Sequence, residues 1–94
     1  MITSVAMLTA QLGHEPKVVE ILNEFVAQEK KVPGCTKVYF KQALDTRDTF
    51  FVYSEYDTLE HFRASDQAVD PPKEGKIQFR LKPHIVKAFF GNFE

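Results

Sequence analysis

The chain has 94 residues, 44% of them hydrophobic and 27% charged, with a formal net charge of −1. This is the composition of one folded domain with a single modest core, which excludes a disordered chain. Its 12 Lys and Arg are dispersed among 13 Asp and Glu, which argues against a nucleic-acid binder, and no apolar run reaches the ~20 residues of a membrane-spanning helix.

The lone cysteine, Cys35, cannot form an internal disulfide, so folding does not call for an oxidising compartment. Met1-Ile2-Thr3-Ser4 lacks the basic and apolar regions of a signal peptide. The expected location is the cytoplasm.

Ile2 to Leu12 is the first predicted strand. Ile2, Ala6, Leu8, Ala10 and Leu12 point one way, and Thr3, Val5, Met7, Thr9 and Gln11 the other. Both sides are fairly apolar, which predicts cover on both. Gly13-His14-Glu15-Pro16 is a turn in which Pro16 suits a first helical position. Lys17 to Lys31 is predicted helical because Val18, Ile21, Leu22, Phe25 and Val26 recur at three- and four-residue spacing. Its lysines cluster at the C-terminal end, where they complement the helix dipole. Val32-Pro33-Gly34 stops it.

Cys35 to Leu44 and Thr49 to Tyr56 are aromatic-rich, β-branched runs joined by Asp45-Thr46-Arg47-Asp48, and they predict a hairpin. A second helix is predicted to start at Asp57 or Thr58. Asp57 followed by Glu60 is a reciprocal capping pattern, and Leu59, Phe62 and Ala64 are expected on the buried side. Residues 66–75 are rich in turn formers and predict a loop. Lys76 to Leu81 alternates as a short strand would, although Ile77 and Leu81 also lie one helical turn apart. His84 to Phe93 is the last predicted strand, apolar on both sides.

The order β-α-β-β-α-β predicts an α+β fold of ferredoxin-like type, a four-stranded antiparallel sheet with both helices on one face. Strands that are apolar on both sides leave the second face needing cover. A second copy of the chain is the simplest cover, so a homodimer packed sheet against sheet is expected.

Three stretches carry a resemblance to a known family. Leu12-Gly13-His14-Glu15 resembles a Pro-Gly-x-Glu turn after the first strand. Pro33-Gly34-Cys35 matches a Pro-Gly-Cys that opens the second. Phe50-Phe51-Val52-Tyr53-Ser54-Glu55-Tyr56-Asp57 resembles Phe-Val-x-Tyr-Glu-x-Trp-x. In order and spacing these resemble the antibiotic biosynthesis monooxygenase family of the dimeric α+β barrel superfamily, over about residues 2 to 65. The resemblance implies a dimeric α+β barrel with a pocket between sheet and helices. It also implies cofactor-independent oxidation of a small aromatic hydroquinone or polyphenol, in which the substrate supplies the electrons. The alternative is a non-catalytic small-ligand-binding or stress-response dimer of the same fold. Tyr56 stands where the family has Trp, and the Asn and Trp of its haem-degrading members are absent, so haem degradation is not implied.

His61 is the candidate general base, since an imidazole suits removal of a phenolic proton; the alternative is a surface histidine near a helix cap. Tyr56, Ser54, Tyr39 and Phe62 are the candidate substrate wall. Ser54 shares the side of Tyr56 because strand residues alternate, whereas Tyr39 belongs to an aromatic array that could equally serve core and interface. His14 and His84 read as isolated, no spacing among the three histidines supports a metal site, and no pattern suggests a flavin, nicotinamide or phosphate loop.

Overall fold

The computed structural model describes residues 1–65 and 80–94. Its elements are β1 (Ile2–Ala10), α1 (Glu15–Glu29), β2 (Cys35–Gln42), β3 (Thr49–Tyr56), α2 (Leu59–Ser65), a 3-10 turn (Lys82–His84) and β4 (Ile85–Phe93). The strands form one antiparallel sheet in the order β2-β3-β1-β4. This is the ferredoxin-like β-α-β-β-α-β arrangement expected from the alternation patterns. The loop expected at 66–75, and most of the strand expected at 76–81, lie outside the described residues. At the described end Leu81 has helical dihedrals (φ −86°, ψ −24°) rather than extended ones.

Alternation sorts the sheet into two faces. Ile2, Ala6, Leu8 and Ala10 of β1 are buried on the helix side, and Phe50, Val52, Ser54 and Tyr56 of β3 are buried beside them. From α1 come Val18, Ile21, Leu22 and Phe25, all buried. Each such side chain contributes about 1.5–3 kcal/mol when taken out of water. The opposite face has no helix among the described residues. It presents Met7, Phe89 and Phe93 at 48%, 58% and 53% exposure, with Tyr39 stacked on Tyr53 at 5.2 Å and Phe51 next in the row.

Several boundaries differ from expectation for local reasons. β1 stops at Ala10, and Leu12 is almost fully exposed, because Gly13 turns the chain with φ +86°. α1 starts at Glu15 and ends at Glu29, so Lys30 and Lys31 fall just beyond its last turn instead of within it. There the Lys31 and Val32 amides donate to carbonyls three residues back, which tightens the exit. β4 starts at Ile85 because Pro83 holds His84 in the 3-10 turn.

The second helix is capped differently from the expected Asp57–Glu60 box. Thr58 is the cap: its Oγ1 accepts the His61 amide at 3.1 Å, and its carbonyl accepts the Phe62 amide. Phe62 and Ser65 face inward, whereas Leu59 and Ala64 are exposed. The hairpin turn is pinned by Arg47, whose Nη2 donates to Gln42 Oε1 at 2.8 Å and whose carbonyl accepts Gln42 Nε2.

Gly34 joins α2 to the sheet. It has φ +86°, its carbonyl accepts the Asp57 amide at 3.0 Å, and a Cβ there would lie 2.4 Å from His61 Cβ. Gly13 has the same φ with nothing near an added Cβ. Gly13→Ala therefore incurs only the left-handed backbone penalty, about 1–2 kcal/mol. Gly34→Ala adds a steric clash and loses about 2–4 kcal/mol. Urea denaturation of both variants measures the difference, and equal losses would contradict the packing of His61 on Gly34.

Candidate binding site

The site is built on the last rows of the helix-facing side of the sheet. Tyr56 ends β3 between Ile2 of β1 and Cys35 of β2. It is fully buried, with Ile2 and Val32 around it and the Phe62 ring at 5.6 Å in an edge-on arrangement. Its hydroxyl is hydrogen-bonded to the side chains of Glu29 and Ser65. Burial, and secondarily the negative charge of Glu29, hold the phenol far above its ordinary range. Ser65 Oγ also lies 2.5 Å from the Phe62 carbonyl, so its one proton is shared between that carbonyl and the Tyr56 oxygen. Glu29 is itself buried at 1% exposure, at the C-terminal end of α1. A carboxylate there opposes the helix dipole, and the Tyr56 hydroxyl offsets part of that cost as a hydrogen-bond donor.

One row further along, Ser4 pairs with Ser54 on one side and Asn92 on the other. Directly paired residues point to the same face, with Cβ atoms about 4.5–5.5 Å apart. This gives a polar band of three short side chains across β3, β1 and β4. Ser54 is buried and Asn92 exposed, so the band runs from the core to an open end. The next row is Val52, Ala6 and Phe90, with Phe90 at 40% exposure. The side chains at Ser4, Ala6 and Ser54 are small, and at the β4 end of these rows Asn92 and Phe90 add a hydrogen-bonding group and an aromatic ring.

The candidate residues are thus divided among three places. Ser54, Tyr56 and Phe62 come together on the helix side. Tyr39 is on the opposite face, stacked on Tyr53 with Lys41 Nζ 6.0 Å from its ring centroid, because β2 register sets it across from Tyr53. His61 lies at the surface. Consecutive helical residues point about 100° apart, so while Phe62 packs on Tyr56, His61 turns onto Gly34. Its Nδ1 is 2.6 Å from Asp57 Oδ1, with both side chains nearly half exposed.

Sequence reasoning missed two features. Glu29 extends the inward stripe of Val18, Leu22 and Phe25, four residues beyond Phe25, and that spacing was the available signal. His14 and His84 are not isolated: their Nδ1 atoms are 3.0 Å apart, and the rings are 5.3 Å centre to centre. Among the described residues no group of three His, Cys, Asp or Glu is placed to hold a metal ion.

The family-level pattern described as antibiotic biosynthesis monooxygenase matches residues 1–70. The chain belongs to the antibiotic biosynthesis monooxygenase family. Solved structures agree on the fold. A candidate antibiotic biosynthesis monooxygenase from Deinococcus radiodurans is 18% identical with a TM-score of 0.87, over 100% of this chain and 91% of that one. A second, from Nitrosomonas europaea, is 13% identical with a TM-score of 0.85, over 100% and 97%. A conserved protein of unknown function from Bacteroides thetaiotaomicron is 16% identical with a TM-score of 0.84, over 99% and 95%. No curated protein matches the chain.

Two titrations follow from this geometry. The Asp57 carboxyl is held below its usual range, chiefly by its hydrogen bond to His61. That contribution to stability is present above the ordinary carboxylate pKa and is lost as pH falls through the lowered value. An NMR titration should show Asp57 moving up in His61→Ala, and an unchanged value would contradict the contact. The Tyr56 phenol is raised, so its contribution is present below the ordinary value of about 10 and is lost as pH climbs beyond it. Tyr56 should ionise only as the chain unfolds in alkali, and Tyr56→Phe should remove that phase from the absorbance titration. The same variant deletes the hydroxyl from a buried polar cluster and should destabilise by about 1–3 kcal/mol in urea.

Proposed function

We propose that the chain is a cytoplasmic homodimer that oxidises a small aromatic hydroquinone or polyphenol with molecular oxygen and no bound cofactor. The observation that carries this reading is the polar band of Ser54, Ser4 and Asn92, with Ala6 and Phe90 in the next row, on the helix side of a sheet from a monooxygenase family. In this reading an aromatic ring lies against Phe90 and its hydroxyl groups find partners in the band.

The chemistry asks for a base and a dry surface. The base proposed is His61, which lies at the surface apart from the band, so the substrate has to extend to the surface for Nε2, with Asp57 on Nδ1, to take its phenolic proton. The resulting phenolate passes one electron to oxygen, and recombination at a ring carbon followed by loss of water completes the reaction. Hydroquinone plus oxygen then gives hydroxyquinone plus water, with one oxygen atom in each product and every electron supplied by the substrate. Tyr56 acts as a wall, its hydroxyl already engaged within the fold.

The dimer reading rests on the uncovered face. Met7, Phe89 and Phe93 expose apolar surface beside the stacked Tyr39 and Tyr53, and a second copy meeting it sheet to sheet would bury both patches.

A second reading, ligand binding without turnover, is favoured by the nearly half-exposed His61 side chain, because a base open to water shields an anion poorly. Oxygen uptake by the metal-free protein with a panel of hydroquinones and dihydroxynaphthalenes separates the two. The oxygenase reading predicts saturable uptake with at least one compound and a loss of about 10²-fold or more in His61→Ala. Uptake undiminished in that variant would remove His61 from the chemistry. Tight binding with no uptake would replace the oxygenase reading by the ligand-binding one. Sedimentation supplies the companion test: Phe89→Lys should halve the molecular mass, and an unchanged mass would argue against this face as the interface.

A further inference from the structure

A cleft of about 740 Å³ opens between α1 and the 3-10 turn, and the described residues lining it are Lys17, Ile21, Arg80, Lys82, Pro83 and His84. Three of these are permanently cationic at neutral pH, one is an imidazole, and none is acidic, in a chain whose net charge is −1. The acidic neighbours sit on α1 outside the lining: Glu20 is 3.4 Å from Lys17 Nζ, and Glu24 pairs with Arg80 Nη2. Exposed pairs of the first kind contribute little and compete weakly with a better-placed anion. The second engages one nitrogen of a guanidinium that carries five donors.

The histidine pair gives the cleft a neutral donor as well. Two nitrogens 3.0 Å apart share one proton, so one Nδ1–H donates and the other Nδ1 accepts. Whichever ring accepts carries its own proton on Nε2. When His84 is the acceptor, its Nε2–H becomes available to a ligand, and His14 braces the ring from the start of α1. Ile21 and the Pro83 ring form the apolar part of the lining.

We infer that this cleft binds a small organic anion, a carboxylate or phosphate ester carried on a compact apolar body. Lys17, Lys82 and Arg80 meet the charge, His84 donates a hydrogen bond, and Ile21 and Pro83 contact the apolar part. A metal ion bridging the two histidines is the competing occupant. It is disfavoured because three cations line the same cleft as His84 and no third ligand joins the pair among the described residues. The cleft belongs to the Ala10 end of β1, whereas the band and its Phe90 wall pair with Ser4 and Ala6, four to six residues away and so roughly 13–20 Å along the strand. The proposal therefore stands independently of the oxygenase reading.

The test is calorimetric titration and thermal shift with phenyl phosphate and benzoate, with benzyl alcohol as the uncharged control and inorganic phosphate as the control without an apolar body. We expect saturable binding of at least one organic anion, weaker binding of inorganic phosphate and none of benzyl alcohol. The double variant Lys17→Gln/Lys82→Gln should weaken binding about tenfold or more, and added salt should weaken it in the parent protein. His84→Gln should weaken it too, and His61→Ala, at the far end of the sheet, should leave it unchanged. The lysines are exposed, so the double variant remains decisive if His84→Gln does not fold. Absence of saturable binding at about 10 mM of either organic anion, binding indifferent to the lysine substitutions, or equal binding of benzyl alcohol would overturn the proposal. Saturable zinc binding that depends on His84, without anion binding, would assign the pair to a metal instead.

Discussion

A four-stranded sheet has two faces, and the described helices serve only one of them. This constraint organises the rest of the molecule. The helix side receives Leu8, Phe50, Leu22 and Phe25 and becomes the core. The other side keeps Met7, Phe89 and Phe93 exposed among the described residues, and it is the face on which the proposed dimer rests. Because neighbouring strand residues point to opposite faces, each residue of β2 and β3 is committed either to the interior with its binding band or to the outer surface. Tyr39 and Ser54 cannot share a pocket for this reason.

At the Tyr56 end, three elements meet through polar contacts. Glu29 closes α1, Tyr56 closes β3 and Ser65 lies on α2, and one phenol hydroxyl touches the other two side chains. A buried polar cluster of this kind is stabilising only when satisfied as a unit. It fixes where α1 and α2 sit relative to the end of β3. Gly34 adds a second joint nearby: its left-handed turn lets His61 lie flush against the backbone, and the same contact orients the imidazole that Asp57 holds. The structural contacts at this end and the base role proposed for His61 therefore depend on the same few atoms of α2.

Much of this was legible in the sequence because it rests on periodicity. The alternation of β1, the inward stripe of α1 and the hairpin of β2 and β3 all appeared where expected; the shared side of Ser54 and Tyr56 followed from strand parity, and the inward Phe62 from the buried side expected of the second helix. What escaped was set by competition or by topology. Asp57 and Thr58 are both good caps, and the sequence does not say that His61 will claim the Asp57 carboxylate. Glu29 was passed over because an acidic residue is rarely buried, although its position in the stripe pointed inward. The pairing of His14 with His84 spans the whole chain and has no local signal. It arises because antiparallel pairing of β1 with β4 brings the end of one strand to the start of the other, where Ala10 faces Ile85.

The central claim is that a small aromatic ring binds on the helix side of the sheet, over the band of Ser4, Ser54 and Asn92. Its most direct test is an anaerobic titration of isotope-labelled protein with a hydroquinone, followed by amide and side-chain NMR shifts. The account predicts saturable perturbations at Ser4, Ser54, Asn92 and Phe62, with Tyr39 and Phe89 on the opposite face undisturbed. Perturbations confined to that opposite face, or none at all across the hydroquinone panel, would contradict it.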